Sequence, residues 1–167
     1  MFELKQLSRE SIPGALAKAE RYRLLNQPWE AECIYSDVLQ VDPENQDAAI
    51  GLLLAITDQF EQGLSEGVRK ARDVLPRIAD AYQRAYHAGI ICERRAKVLL
   101  HQARPGAGAT AIELLGEAKD WYEKAEALRP PGNDDVLLRW NACARLLMRH
   151  PRALSATAAT FHPYSDS

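Results

Sequence analysis

The chain has 167 residues, 47% hydrophobic and 26% charged, with a formal net charge of −2. That is enough for a proper core, and a balance so near neutrality gives no electrostatic footprint for nucleic acid or an anionic membrane surface. The longest apolar run, Ala48 to Ile56, is nine residues, too short to span a bilayer, and MFELKQLSRES lacks the apolar core of a secretory signal, so a cytoplasmic location is expected.

In chain order, the pattern predicts helices almost throughout, because Ala, Leu, Glu, Arg and Lys dominate and no segment alternates cleanly. The first helix is expected from Ile12 to Leu25, with Ser11 as its cap and Pro13 in its first turn. Asn26 and Gln27 form a turn, and Pro28 opens a second helix to Gln40. Asp42-Pro43-Glu44-Asn45 ends that helix, since proline disfavours helical conformation in the residue before it. A third helix is expected from Gln46 to Phe60, and a fourth from Leu64 to Leu75, after Gly63. The fifth begins near Arg77 and reaches Gln102. Arg104-Pro105-Gly106-Ala107-Gly108-Ala109 reads as the clearest flexible loop. The sixth helix runs from Thr110 to Leu128, before Pro130-Pro131-Gly132. Asn133 or Asp134 caps a seventh, which is amphipathic and reaches Arg149. Residues 1–150 make up the helical domain, and 151–167 form a C-terminal tail, either flexible or lying back on the body.

Three stretches share one spacing. Ala31, Tyr35, Val38 and Pro43 are four, three and five residues apart, as are Leu64, Val68, Ala71 and Pro76, and again Ala118, Tyr122, Ala125 and Pro130. The first three members of each set fall on one helix face, and the proline stops the helix. Such a ruler closes one helix-turn-helix unit before the next begins, the sign of a helical repeat protein.

Seven helices in antiparallel pairs with this ruler resemble the tetratricopeptide repeat, a unit of about 34 residues. Ala15, Ala19 and Tyr22 stand at the first-helix positions of the first repeat. Ala49, Leu52, Leu53 and Ile56 do so in the second, and Tyr82, Ala85, Tyr86 and Gly89 in the third. From Pro43 to Pro76 is 33 residues, but from Pro76 to Pro130 is 54. The third pair is therefore expected to be elongated, with the seventh helix as a solvating cap. The resemblance implies an all-α, right-handed helical repeat solenoid. It also implies a concave side lined by the first helix of each pair. On that register the partner-facing side chains are Leu16, Glu20 and Arg23, then Asp47, Ile50 and Leu54, then Gln83, His87 and Ile90, and in the cap Leu137, Asn141 and Arg145. Their mixture of apolar and polar groups suits an amphipathic helix or an extended peptide.

No catalytic constellation emerges. The four histidines form no HExxH or other pair at metal-ligand spacing, and His87 and His101 read as surface residues. The Pro105–Thr110 stretch lacks the Lys-Ser/Thr ending of a phosphate loop. Cys33, Cys92 and Cys143 are far apart and odd in number, which argues for buried free thiols over disulfides or zinc. Glu93-Arg94-Arg95 with Lys97 is expected to pair with the acidic sixth helix. Trp29, Trp121 and Trp140 read as core or interface anchors. The expected function is a non-catalytic interaction module, an adaptor or assembly factor. It would need no cofactor or metal and would bind another protein or a peptide rather than nucleic acid or membrane. The alternatives are a small chaperone of a secretion system and a self-associating protein, for instance a homodimer formed through Trp140.

Overall fold

The computed structural model describes residues 1–150, and the tail expected at 151–167 lies outside the described residues. Among the described residues the fold is all-helical with no strand. Its helices are α1 (Ile12–Leu24), α2 (Pro28–Val41), α3 (Gln46–Thr57), α4 (Leu64–Val74), α5 (Ala81–Gln102), α6 (Ala107–Glu126) and α7 (Asp135–Met148). The chain divides into two compact units, Met1–His87 and Ala88 onward, so the boundary falls inside α5.

In the first unit, α1 packs on α2 and α3, α2 on α3, and α3 on α4. The spacing rule explains what is buried. Ala31, Tyr35 and Val38 of α2, and Val68 and Ala71 of α4, are buried, Leu64 at the start of α4 is only half-buried, and Pro43 and Pro76 are exposed beyond the helix ends. Leu53, Phe60 and Ile78 complete this core; full burial of such side chains contributes about 1.5–3 kcal/mol each. Asn45 caps α3 by accepting from the Ala48 amide at 2.9 Å. The Gln46 side chain ties the start of α3 to the approach of α5, donating to the Arg77 carbonyl at 3.1 Å and accepting from the Ala79 amide at 2.8 Å.

Several expected boundaries move for identifiable reasons. Ser11 does not cap α1, because its hydroxyl donates to the Ser8 carbonyl at 2.8 Å and a 3₁₀ turn, Arg9–Ser11, precedes the helix. The fifth helix starts at Ala81 rather than Arg77. Leu75–Arg77 form a 3₁₀ turn, and the Asp80 carboxylate accepts from the Gln83 amide at 2.9 Å. The Gly-Ala stretch is shorter as a loop than expected. Ala103 and Gly106, with φ of 46° and 79°, make the turn, and Ala107 is buried and already helical, in keeping with alanine's helix propensity.

The second unit holds the rest of α5 with α6 and α7, and α6 packs on α7. Ala118, Tyr122 and Ala125 are buried, as the spacing requires. The Asn133 side chain accepts from the Asp135 amide at 3.0 Å and opens α7. None of the three tryptophans is a core residue: Trp29 is 64% exposed, Trp121 36%, and Trp140 is half-buried. Lysines cover the latter two rings, Lys124 over Trp121 at 4.4 Å and Lys119 over Trp140 at 4.6 Å.

Candidate functional site

Six of the residues named from the sequence converge on one groove in the first unit. Leu16, Glu20 and Arg23 of α1 and Asp47, Ile50 and Leu54 of α3 line a cavity of about 590 Å³ together with Pro13, Ala17, Tyr35 and Gly51. The geometry follows from helical periodicity. Positions 13, 16, 17, 20 and 23 share a face of α1, and 47, 50, 51 and 54 share a face of α3. Leu16, Ile50 and Leu54 are half-buried and keep apolar surface in the groove. Glu20 and Asp47 are exposed at its rim, and Tyr35 is buried beneath.

Pro13, Ala17, Tyr35 and Gly51 are the residues of this groove that sequence reasoning assigned elsewhere or passed over. A Cβ at Gly51 would overlap the Tyr35 ring. Glycine costs a helix interior about 1 kcal/mol relative to alanine, so a lone glycine inside the apolar run Ala48–Ile56 was the signal of a close packing partner.

The electrostatics of the groove are acidic. Arg23 donates from Nε to Asp58 at 2.8 Å, and both side chains are mostly buried, so this cation is neutralised by its neighbour. Glu20 and Asp47 make no comparable pair among the described residues. The Tyr35 hydroxyl reports the same field. Burial pushes its pKa up, Arg23 draws it down, and Glu20, Asp58 and Asp47 push it further up. A smaller cavity of about 260 Å³ shares Glu20 and Arg23 with the groove and extends it past Leu24, Pro28 and Asp58.

The other expected positions lie elsewhere. Gln83 is half-buried in the first turns of α5. His87 is buried at 3% exposure, with Nδ1 at 2.7 Å from the Gln83 carbonyl. His87 is therefore not the surface residue expected from its polarity; it opens the stretch of α5, 87–93, in which every residue is buried. Ile90 is likewise buried. Leu137, Asn141 and Arg145 belong to α7 in the second unit, half-buried, exposed and exposed respectively. The groove as described is a feature of the first unit.

The second unit contains a buried polar cluster instead. The Glu93 carboxylate, 1% exposed, accepts from the Tyr122 hydroxyl at 2.5 Å and from Lys97 Nζ at 2.5 Å, with Arg139 at 3.4 Å. Burial raises its pKa, but the hydrogen bonds from Lys97 and Tyr122 and the charges of Lys97 and Arg139 outweigh this and hold it below the ordinary carboxylate value. The expected pairing of the Glu93–Lys97 cluster with acidic side chains of the sixth helix is thus corrected for Glu93, which is buried and meets the Tyr122 hydroxyl there. The signal was its spacing, four residues after Gly89 and three before Ala96, both buried. Burial raises the Tyr122 phenol far above its usual range, and Glu93 adds to this. Cys143 is pushed up to about 12, by burial first and by Glu93 second. Three donors thus converge on one buried carboxylate, which offsets the cost of burying its charge.

Cys92 and Cys143 are buried and Cys33 is only half-buried; all three are free thiols. Among the described residues no group of three His, Cys, Asp or Glu side chains is placed to hold a metal ion, and no helix is long and apolar enough to cross a membrane. Comparisons with protein-family models, curated proteins and solved structures found no match.

Proposed function

We propose that this chain is a tetratricopeptide-like helical repeat solenoid that acts as a non-catalytic interaction module, holding a segment of another protein in the groove between α1 and α3. The observation that carries the reading is the convergence of Leu16, Glu20, Arg23, Asp47, Ile50 and Leu54 on one open groove. A rim of charge around accessible aliphatic surface is the pattern of a groove that takes an amphipathic ligand. The buried triplets Ala31-Tyr35-Val38 and Ala118-Tyr122-Ala125 support the repeat reading, because equivalent positions in two helices do equivalent packing work.

The test is affinity capture from source lysate, comparing the wild-type chain with an Ile50→Glu, Leu54→Glu double variant verified as helical and monodisperse. A protein held by the wild type and lost by the variant supports the groove. Equal capture by both moves the site away from it.

Self-association is the second reading. It is favoured by Leu24, Leu25 and Trp29, which stand 82%, 61% and 64% exposed around the α1–α2 turn. A mass by light scattering that rises with concentration, and falls back on Trp29→Ser, supports it. A secretion chaperone is a narrower version of the first reading, distinguished by one dominant client whose solubility depends on the protein.

A further inference from the structure

We propose that the groove of the first unit selects a cationic amphipathic helix of a partner protein. This inference rests on the groove reading above and adds its chemistry. The lining has an apolar floor, made by Leu16, Ile50 and Leu54 over Tyr35. Its cation, Arg23, is held by Asp58. Two rim carboxylates, Glu20 on α1 and Asp47 on α3, have no salt-bridge partner among the described residues and stand on either side of that floor. The complement is an aliphatic stripe flanked by lysine or arginine.

Shape argues for a helix over an extended chain. The groove wall on α1 runs from Pro13 to Arg23, about 15 Å at 1.5 Å per residue, or about three turns of a ligand helix. A helical ligand brings its backbone amides and carbonyls already paired, whereas an extended one needs partners for them. The walls are helices with their own backbone groups bonded internally, and they offer carboxylates rather than a sheet edge. A ligand helix also places residues three and four apart on one side, so a single apolar stripe can meet Leu16, Ile50 and Leu54 while basic residues beside it reach Glu20 and Asp47.

The experiment uses the full chain and three synthetic peptides of about 14 residues, or about 21 Å as helices. They share one leucine stripe and differ only in carrying Lys, Gln or Glu on its flanks, and binding is read by fluorescence anisotropy. The Lys peptide is expected to bind at least about tenfold tighter than the Glu peptide, with the Gln peptide between. A Glu20→Gln, Asp47→Asn variant should weaken the Lys peptide about three- to tenfold and leave the Gln peptide unchanged. Ile50→Asn with Leu54→Asn, which leaves the field of the groove intact, should weaken the Lys and Gln peptides alike.

Three results overturn the proposal. Equal binding of all three peptides, lost in the Ile50→Asn, Leu54→Asn variant, keeps the groove and removes the charge selection. Lys-peptide binding that survives Glu20→Gln, Asp47→Asn but falls with Glu113→Gln, Glu126→Gln on α6 assigns it to general attraction. Failure of every peptide to bind removes the cationic helix as ligand, and the capture experiment then judges the groove by itself.

Discussion

Tyr122→Phe isolates the buried hydrogen bond to Glu93. The substitution keeps the ring packed over Gly89, where a Cβ would collide with it, and deletes only the hydroxyl that donates to Glu93 at 2.5 Å. Hydrogen bonds to charged groups are worth about 1.5–3 kcal/mol. The carboxylate is 1% exposed and retains Lys97 and Arg139, so some of that loss is recovered by their attraction. A net destabilisation of about 2 kcal/mol is expected. Chemical denaturation followed at 222 nm measures it globally, and native-state hydrogen exchange of the α5 and α6 amides locates it in the second unit.

The pH dependence supplies an independent check. The Glu93 pKa is lower in the folded chain than in the unfolded one. Its contribution is therefore present above the unfolded carboxylate value and is lost as pH falls through the folded value. Protonation also turns the charge-assisted bond into a neutral, weaker one. The gap between wild type and Tyr122→Phe should accordingly narrow on acidification below about pH 4. A gap under about 0.5 kcal/mol at pH 7, or one that stays constant through the whole acid transition, would falsify the assignment of a charge-assisted bond here.

Three further outcomes are expected. Gly51→Ala should destabilise by about 1–3 kcal/mol despite alanine's better helix propensity, because its Cβ meets the Tyr35 ring. Gly116→Ala, with open space at its Cβ, should instead stabilise by about 0.5–1 kcal/mol; thermal melts that rank the two variants the other way contradict the packing. Native protein at pH 8 should react with a thiol reagent faster at the half-buried Cys33, although burial and the neighbouring Glu32 push that thiol up and slow it, than at the buried Cys92 and Cys143. Three fast equivalents by mass spectrometry would be incompatible with their burial. Stability should fall on alkalinisation from about pH 9. Cys143 and Tyr122 have folded pKa values raised above their unfolded ones, so their contribution is complete below the unfolded pKa and is lost as pH rises. Urea midpoints at pH 7 and pH 10.5 measure this, and an unchanged midpoint rules it out.

Local chemistry was legible along the chain because each signal needed only near neighbours. Pro28 marks the start of α2, whereas Asn45, read only as part of the segment that ends the second helix, also proves to cap α3. The four-three-five spacing named the buried triplets of α2 and α6, since a helix turns by a fixed angle per residue and the apolar period needs no tertiary knowledge. The same periodicity put Leu16, Glu20 and Arg23 on one face and Asp47, Ile50 and Leu54 on another. That these two faces form one groove was decided by the packing of α1 on α3. So was the sign of the groove, because Arg23 pairs with Asp58, 35 residues away, and Glu20 and Asp47 keep no salt-bridge partner among the described residues.

Polarity misled where burial and pairing came from distant segments. His87 and Glu93 look like surface residues in a linear reading, yet both are buried. Glu93 is stabilised there by partners 29 and 46 residues away, Tyr122 and Arg139. For the tryptophans the core alternative fails and the interface one stays open, since large apolar area favours burial only if the fold brings a wall to each ring. Over Trp121 and Trp140 the fold brings instead a lysine ammonium, a cation–π contact at the surface. Sequence alone determined where the chain coils and which side of each helix is apolar, because those depend on backbone geometry and side-chain type. Tertiary structure decided which charges cancel, which stay exposed over apolar surface, and therefore where a partner can be held, because an electrostatic field is set by distances across space rather than along the chain.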